Sequence, residues 1–482
     1  MSKLYDCIKK YAENNSKNIS FTYRVGEEYK NINYGQLIEY VNNISGYLSE
    51  YKNKTVAIIG NNKIEYAISF LAVVCNIGNA FLIDKELGKE DIEKVFAKCK
   101  PDLIILDDDI NLPFDDAKII LFSEISEKMI SHISFEYDNT FSGNLLLHTS
   151  GTTGEVKCVL LNEKKYFSVI KELNDKWDDG SIKSCLLIIP LYHVYALVAL
   201  FHSIYTGINS ILEWDFKRIT DVFKETKPHI FMGVPLIYNK IRGSIFEKNE
   251  KKVKMAISIS NVLLKLGIDV RKKLFKEIHE FFGGNYIFGC SAGTMLPYDT
   301  SKFFHDIGLP IYNVYGMTET AGPMAISYLN HNDFNAVGEI LDINDIKIID
   351  KNDENIGSIM VKGINVFDGY LNDDNSCIHD GYFDTGDLGY VKNNFLYVVG
   401  RKKNILIGEN GINISPNELR ELVLKNSMIH ECSITMENNR LIALVYSDMP
   451  DEELDKYIEK LNRKLPKYKR IYSIRNTSKK IK

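Results

Sequence analysis

Between residue 54 and about residue 315, short apolar runs alternate with longer stretches of helical spacing. TVAIIG (55–60) has the pattern of a strand, and IEYAISFLAVVC (64–75) that of a helix. LIILD (103–107), KIILF (118–122) and NLLLHT (144–149) read as further strands. CLLIIP, NSILEW, PHIFMGVP, YIFGC and IYNVYG follow, with helical stretches between most of them. Strands that are apolar at nearly every position are buried on both faces. The pattern therefore predicts an α/β fold with parallel-rich sheets covered by helices. No short repeat period is present, which excludes a solenoid.

From about residue 337 to 400 the texture changes to short strands, DIKIID, GSIMVKG, GYFDTGDLGYV and FLYVVG, separated by Gly and Asn-Asp turns. That texture predicts an antiparallel β subdomain. After Gly400 a helix is expected to end near Lys425, CSITM and LIALVYS read as strands, and a helix spans about 451–465. KYKRIYSIRNTSKKIK closes the chain as a basic tail. The organisation expected is a large domain over residues 1–400, with its β subdomain at about 337–400. A small α+β domain follows over 401–482, and the hinge lies near Arg401–Lys403.

Composition narrows the class. The chain has 482 residues, of which 45% are hydrophobic and 26% charged, as in ordinary globular proteins and unlike disordered or collagen-like ones. A net charge of −5 offers no general surplus for nucleic acid. The eight cysteines are scattered without a C-x-x-C pair, which speaks against zinc and for a reducing cytoplasm. MSKLYDCIKKYAENN lacks the apolar core of a signal peptide and reads as an amphipathic helix through Leu4, Ile8 and Tyr11. Residues 185–207 are apolar enough to imitate a membrane span, but Pro190, His193 and His202 interrupt them. A buried strand, a turn at Pro190 and a buried helix account for them better.

The densest chemistry is His148-Thr149-Ser150-Gly151-Thr152-Thr153-Gly154-Glu155-Val156-Lys157, directly after the strand-like NLLL. Glycines and hydroxyl residues in such a loop let backbone N–H groups turn inward and hold anionic oxygens, and Lys157 adds a positive charge. The G-x-x-x-x-G-K-[ST] loop of common nucleotide hydrolases is absent. The segment resembles the signature of the adenylate-forming superfamily: acyl- and aryl-CoA synthetases, peptide-synthetase adenylation domains and luciferases. There the pattern is an aromatic residue, TSGTTG, then x-P-K-G. Here His148, Val156 and Cys158 replace the aromatic, the proline and the last glycine.

Further motifs of that superfamily occur in the same order, and the likeness spans about residues 30–482. Val314-Tyr315-Gly316-Met317-Thr318-Glu319-Thr320 resembles the segment whose Thr318 and Glu319 hold ATP phosphate and Mg²⁺. Tyr382-Phe383-Asp384-Thr385-Gly386-Asp387 resembles the segment whose Asp387 takes the ribose hydroxyls. Gly400-Arg401-Lys402-Lys403-Asn404 resembles the hinge motif, with Arg401 on the nucleotide and Lys403 at the pivot. Thr477-Ser478-Lys479-Lys480-Ile481-Lys482 resembles the tail that supplies the catalytic lysine, here Lys480, with Lys479 in place of a glycine. The resemblance also places Ser291, Ala292 and Gly293 against the adenine opposite Tyr315. It puts His193 near the substrate carboxylate and Gly411 at the pantetheine tunnel.

What the resemblance implies is an enzyme, an AMP-forming acid–thiol ligase. ATP and Mg²⁺ activate a carboxylic acid to an acyl-adenylate with release of pyrophosphate. A mobile lid then turns about Lys403, and the thiol of CoA or of a separate phosphopantetheinyl carrier protein takes the acyl group. Carboxylate attack on a phosphate crowds anions, and a site of Mg²⁺, lysine and backbone donors answers that need without a nucleophile of its own. PLYHVYAL and the SKKIK tail favour a fatty or other hydrophobic acid, while YGMTETAGP also suits an aryl-acid or amino-acid ligase. Two rivals come from other classes. Gly289-Cys290-Ser291-Ala292-Gly293 matches the G-x-S-x-G elbow of serine hydrolases, although Pro297 falls where the elbow's helix must run. Changes at Val156, Cys158 and Lys479 fit a nucleotide-binding regulator that has lost turnover.

Overall fold

The computed structural model describes residues 3–112, 118–150, 156–177, 180–328, 332–373, 375–404, 406–407, 413–426, 428–437 and 440–477. The chain divides into two compact units, Met1–Asp345 with Lys362–Phe383, and Ile346–Val361 with Asp384–Lys482.

The first unit is built on two sheets, and the fold class is α/β as the strand pattern predicts. One sheet has the spatial order Ile119–Leu121, Leu103–Leu106, Thr55–Ile59, Asn79–Ile83, Asn144–Ser150, Val156–Asn162. Neighbours are parallel except for the last pair, an antiparallel hairpin. The second sheet has a parallel centre ordered Ile311–Met317, Phe288–Ser291, Ile230–Gly233, Ser184–Leu187, Asn209–Leu212, Ile19–Val25. Gly322–Ile326 and Glu28–Asn33 extend it as antiparallel strands. The central strands 184–187, 230–233 and 288–291 are buried at every position, which is why they read as unbroken apolar runs.

Residues 184–206 follow the reading given above: strand Ser184–Leu187, a turn after Pro190, then helix Val194–Thr206 buried in the core. Among the described residues no helix is long and apolar enough to cross a membrane. The N-terminal helix Lys3–Asn14 buries Leu4 and Ile8, and the Tyr11 hydroxyl donates to the carbonyl of Tyr205. Helix Tyr34–Tyr47 starts at a capping box, Asn33 accepting from the Gln36 amide while the Gln36 side chain accepts from the Asn33 amide.

In the second unit, strand Phe395–Arg401 pairs antiparallel with the strand ending at Lys392, and Asp387 stands opposite Arg401. Beyond it, Ile429–Glu437, Arg440–Ser447 and Ile471–Asn476 form a three-stranded sheet. Helices Pro416–Val423 and Asp451–Asn462 pack on it through Leu419, Val423, Leu454 and Ile458. Pro416 at the first helical position and the Ser415 side chain on the Glu418 amide start the first of these helices. The basic tail expected after residue 465 is corrected in part. Ile471–Asn476 is a strand running parallel to 440–447, anchored by the buried Ile471.

Candidate active site

The hairpin Asn144–Ser150/Val156–Asn162 sets Thr149 directly opposite Lys157 and His148 opposite Cys158. Thr149 and Lys157 thus stand close to the two ends of the glycine- and hydroxyl-rich loop. Alternation decides which side chains face in. Val156 and Cys158 enter the core beside Cys99 and Leu146, while Lys157 lies on the other face. The two departures from the superfamily pattern therefore serve the apolar packing of this sheet. Cys158 is fully buried and its sulfur lies 2.9 Å from that of Cys99, both as free thiols. Cys158→Gly, which restores the superfamily's residue, is expected to cost about 1–2 kcal/mol, through the cavity and a glycine inside a strand. Thermal denaturation measures it.

Lys157 Nζ sits 4.5 Å from the centre of the Tyr370 ring, and the Tyr370 hydroxyl donates to Glu319 Oε1 at 2.7 Å. The same glutamate's carbonyl accepts from the Phe367 amide at 2.7 Å. Burial, together with the Glu319 charge, raises the Tyr370 pKa, so the phenol keeps its proton and can only donate. Thr318 and Glu319 lie on a single 3₁₀ turn, Thr318–Thr320, closed by the Thr320 hydroxyl donating to Gly322 O at 2.6 Å. Gly316 precedes that turn, and a Cβ there would fall 2.1 Å from Gly322 O, so only glycine fits. Glu319 is nearly buried, with one carboxylate oxygen engaged by Tyr370. Among the described residues no three acidic, His or Cys side chains cluster as a protein-only metal cage. A lone carboxylate suits a Mg²⁺ that takes its remaining ligands from phosphate and water.

A second group gathers where strands of both sheets end. His148 Nε2 accepts from the Asp84 amide at 2.9 Å, its ring stacks near Tyr192, and Tyr192 abuts His193. Burial pushes the His148 pKa down to about 4 against the opposing pull of Asp84, and it lowers that of His193 in the same way. Both imidazoles are neutral at pH 7. His193 stands just before helix Val194–Thr206. Asn62 secures this turn: its side-chain amide donates to the carbonyls of Ile189 (2.9 Å), Leu187 (3.3 Å) and Glu213 (3.3 Å) and accepts from the Leu191 amide at 2.9 Å. Asn62→Ala removes these bonds from buried groups, of which the Leu187 carbonyl keeps only the Glu213 amide. About 1–3 kcal/mol of stability is expected to be lost, which a urea titration measures.

Ser291 ends strand Phe288–Ser291 and pairs with Asn313, two residues before Tyr315 on the neighbouring strand. The chain then runs through Ala292 and Gly293, the latter at φ +89°, and no helix begins before Tyr298. A nucleophile elbow needs its helix at once, so the G-x-S-x-G match is not one. In the second unit, Asp387 is almost fully buried and Arg401 Nε lies 2.9 Å from its Oδ1. The Asp387 amide donates to the Thr385 hydroxyl, and Gly386 takes φ +72°, a turn that presents the carboxylate beside the arginine. Lys403 is exposed on the short turn Lys402–Asn404.

The geometry links Thr149 and Lys157 to Glu319 through Tyr370, and His193 to His148 through Tyr192. Tyr370, Asp84, Tyr192 and Asn62 are the members that motif reading missed. Asp84 carries a signal, an acid placed immediately after the apolar run NAFLI at a strand's carboxyl end, and Tyr192 stands inside PLYHVYAL beside His193. Gly151, Thr152, Thr153, Gly154, Gly411 and Lys480, and the side chain of Ser150, lie outside the described residues.

A long-chain-fatty-acid–CoA ligase of Mus musculus is 28% identical over 319 residues, which cover 58% of this chain and 47% of the mouse protein. The chain spans 54% of another such ligase, from Mycobacterium bovis, so it matches about half the length of these relatives. A 2-succinylbenzoate–CoA ligase of Lactococcus lactis is 24% identical over 456 residues, covering 92% of this chain and 91% of its own. The solved o-succinylbenzoate CoA synthetase of Bacillus subtilis, in complex with its acyl-adenylate intermediate, superposes with a TM-score of 0.77. The two are 20% identical, and 98% and 94% of the chains are covered. That likeness establishes the fold. The family model for AMP-binding enzymes matches residues 8–371, most of the sequence, and the chain therefore belongs to the AMP-binding enzyme family, within the adenylate-forming superfamily.

Proposed function

We propose that this protein uses ATP to activate a carboxylic acid and then passes the acyl group to a thiol. An oxygen of the acid attacks the α-phosphorus of ATP, the bond to the β-phosphate breaks, and pyrophosphate leaves with the electron pair. The observation that carries the reading is the arrangement of Lys157, Tyr370 and Glu319 at the foot of the glycine- and hydroxyl-rich loop. Lys157 and the Thr149 hydroxyl meet the phosphates, with Ser150 and the Gly151–Gly154 backbone as further donors. Glu319, helped by Thr318, would hold Mg²⁺, which when bound offsets phosphate charge. Tyr370 keeps the Glu319 carboxylate in place.

His193, neutral through burial, can give the acid one hydrogen bond without locking its oxygen in an ion pair. Ser291, Ala292, Gly293 and Tyr315 are assigned to the adenine, Asp387 to the ribose hydroxyls, and Gly316 and Arg401 to the nucleotide. Lys480 is assigned to the crowded phosphorus. Residues 401–482 act as a lid pivoting at Lys403, and Gly411 faces the incoming pantetheine. The acceptor is CoA or a separate carrier protein, and the reducing cytoplasm, where eight free thiols persist, is the proposed location.

A fatty or other hydrophobic acid is the favoured substrate. An aryl acid is the second reading, because the 2-succinylbenzoate ligase aligns over almost the whole chain. The experiment is ATP–pyrophosphate exchange with a panel of fatty, aryl and amino acids. Exchange stimulated by hydrophobic acids is expected. Exchange with amino acids alone would remove the substrate assignment, and ATP binding without acid-dependent exchange would favour a regulator. The burial of Val156 and Cys158 weighs against the regulator, since both changes have a packing reason.

A further inference from the structure

Helix Pro235–Lys265 departs from what a surface helix should be. Its final three turns bury Ser260 and partly bury Ile257 and Leu264, and that face is covered by protein. On the opposite face Met255, Ile259, Val262 and Leu266 stand 61%, 47%, 60% and 70% exposed. Their spacing of four, three and four residues puts them within about 60° of arc at 3.6 residues per turn. A helix on a water-soluble surface carries polar residues there. Past the helix end Ile268 and Leu274 are exposed as well.

Charge accompanies the apolar stripe. Between Lys251 and Lys276 the chain has eight cationic residues and one acid, Asp269, although the whole protein carries a net charge of −5. Some are engaged locally: Lys254 with Glu250, Arg271 with Asp269, Lys276 with Glu280, and Lys272 with the Gly284 carbonyl. Lys251, Lys265 and Lys273 are exposed, and by helical spacing Lys251 and Lys252 flank the two edges of the stripe. A second copy would bring the same cations face to face, which opposes self-association through this surface. A nucleic acid backbone would leave the isoleucine, valine and leucine side chains in water. An anionic bilayer satisfies both halves, because its headgroups take the lysines and its acyl boundary takes the apolar side chains.

We propose that the segment 251–276 is a docking surface for anionic membrane, on which the helix lies in the plane of the interface without crossing it. Met255, Ile259, Val262 and Leu266 insert to the acyl boundary, and the surrounding lysines hold the headgroups. Binding is expected to weaken with salt, because its electrostatic share is screened.

The test is co-sedimentation of the full chain with vesicles of phosphatidylcholine alone and of phosphatidylcholine with about one third phosphatidylglycerol, alongside light scattering of the protein by itself. Binding to the anionic vesicles should exceed binding to the neutral ones by about tenfold or more. Replacing Lys251, Lys265 and Lys273 by glutamine should weaken it by about fivefold for each lysine removed. The double variant Ile259→Asp/Val262→Asp should abolish it with an unchanged melting curve, since both side chains face solvent. Absence of binding, equal binding to both vesicle types, or indifference to the double variant would overturn the proposal. So would a dimer that the double variant dissolves, which would give the stripe to a second copy. The assay reads no turnover, so its failure leaves the proposed function standing.

Discussion

Glu319→Gln is expected to lower acid-dependent ATP–pyrophosphate exchange by about a hundred- to a thousandfold, the usual loss when a group that offsets developing phosphate charge is removed. The substitution keeps the shape of the side chain and its acceptor oxygen, so the Tyr370 hydroxyl can still donate to it and the Thr318–Thr320 turn can still form. What disappears is the negative charge that a hard divalent cation requires. The variant should therefore melt like the wild type, and its requirement for Mg²⁺ should rise sharply. Tyr370→Phe makes the complementary change: the ring under Lys157 remains and the carboxylate remains, but the hydrogen bond that orients it is lost. About a tenfold loss is expected there, with a shift in Mg²⁺ dependence that a merely structural role would not produce. Full activity in Glu319→Gln would exclude the glutamate as the cation ligand.

Arg24→Ala is expected to give the largest loss of stability, about 3 kcal/mol or more. The Glu213 carboxylate is fully buried and accepts from Arg24 Nε at 3.1 Å, Arg24 Nη2 at 3.2 Å, the Tyr29 hydroxyl at 2.7 Å and the amides of Trp214 and Asp215. Arg24 also stacks its guanidinium 4.3 Å from the centre of the Trp214 ring. Removing it strands a carboxylate away from water with its main cation gone, the costly way to break such a pair. Burial alone pushes the Glu213 pKa up, but its donors outweigh burial and hold it below the usual glutamate value. A depressed folded pKa gives stabilisation that is complete above the unfolded pKa and lost as pH falls through the folded one. The gap between Arg24→Ala and wild type should therefore be widest near pH 7 and narrow below about pH 4. Urea titrations at the two pH values measure it. Some loss of exchange activity should accompany the change, because Glu213 O is one of the groups through which Asn62 fixes the turn before His193.

The parts of the fold that were legible are those in which one segment carries its own signal. The buried strand, proline turn and buried helix of 184–206 announce themselves in unbroken apolar runs. The strand Asn79–Ile83 is hidden because it follows directly from the helical turns Ile64–Ala72 and Val73–Ile77, so that its apolar residues merge with theirs. Val156–Asn162 is hidden by the loop motif that leads into it, although its buried residues Val156, Cys158, Val159 and Leu161 are all apolar. Ile471–Asn476 looked like tail because only Ile471 is fully buried and two basic residues flank and interrupt it. The candidate site divides along the same line. Thr149, Lys157, Thr318 and Glu319 lie in short motifs whose residue types state their chemistry. Tyr370 is 51 residues from the glutamate it holds, and Asp84 is 64 residues from the histidine it orients. Pairings of that span are products of sheet order, and no local spacing encodes them.

The central claim, that a carboxylate oxygen becomes bonded to the α-phosphorus, is tested most directly with an acid labelled with ¹⁸O in its carboxyl group. After complete turnover with ATP and a pantetheine thiol, mass spectrometry of the nucleotide product should find AMP carrying one ¹⁸O atom, left behind when the thiol displaces the adenylate. Unlabelled AMP, or ADP with ¹⁸O in inorganic phosphate, would place the attack elsewhere and contradict acyl-adenylate formation.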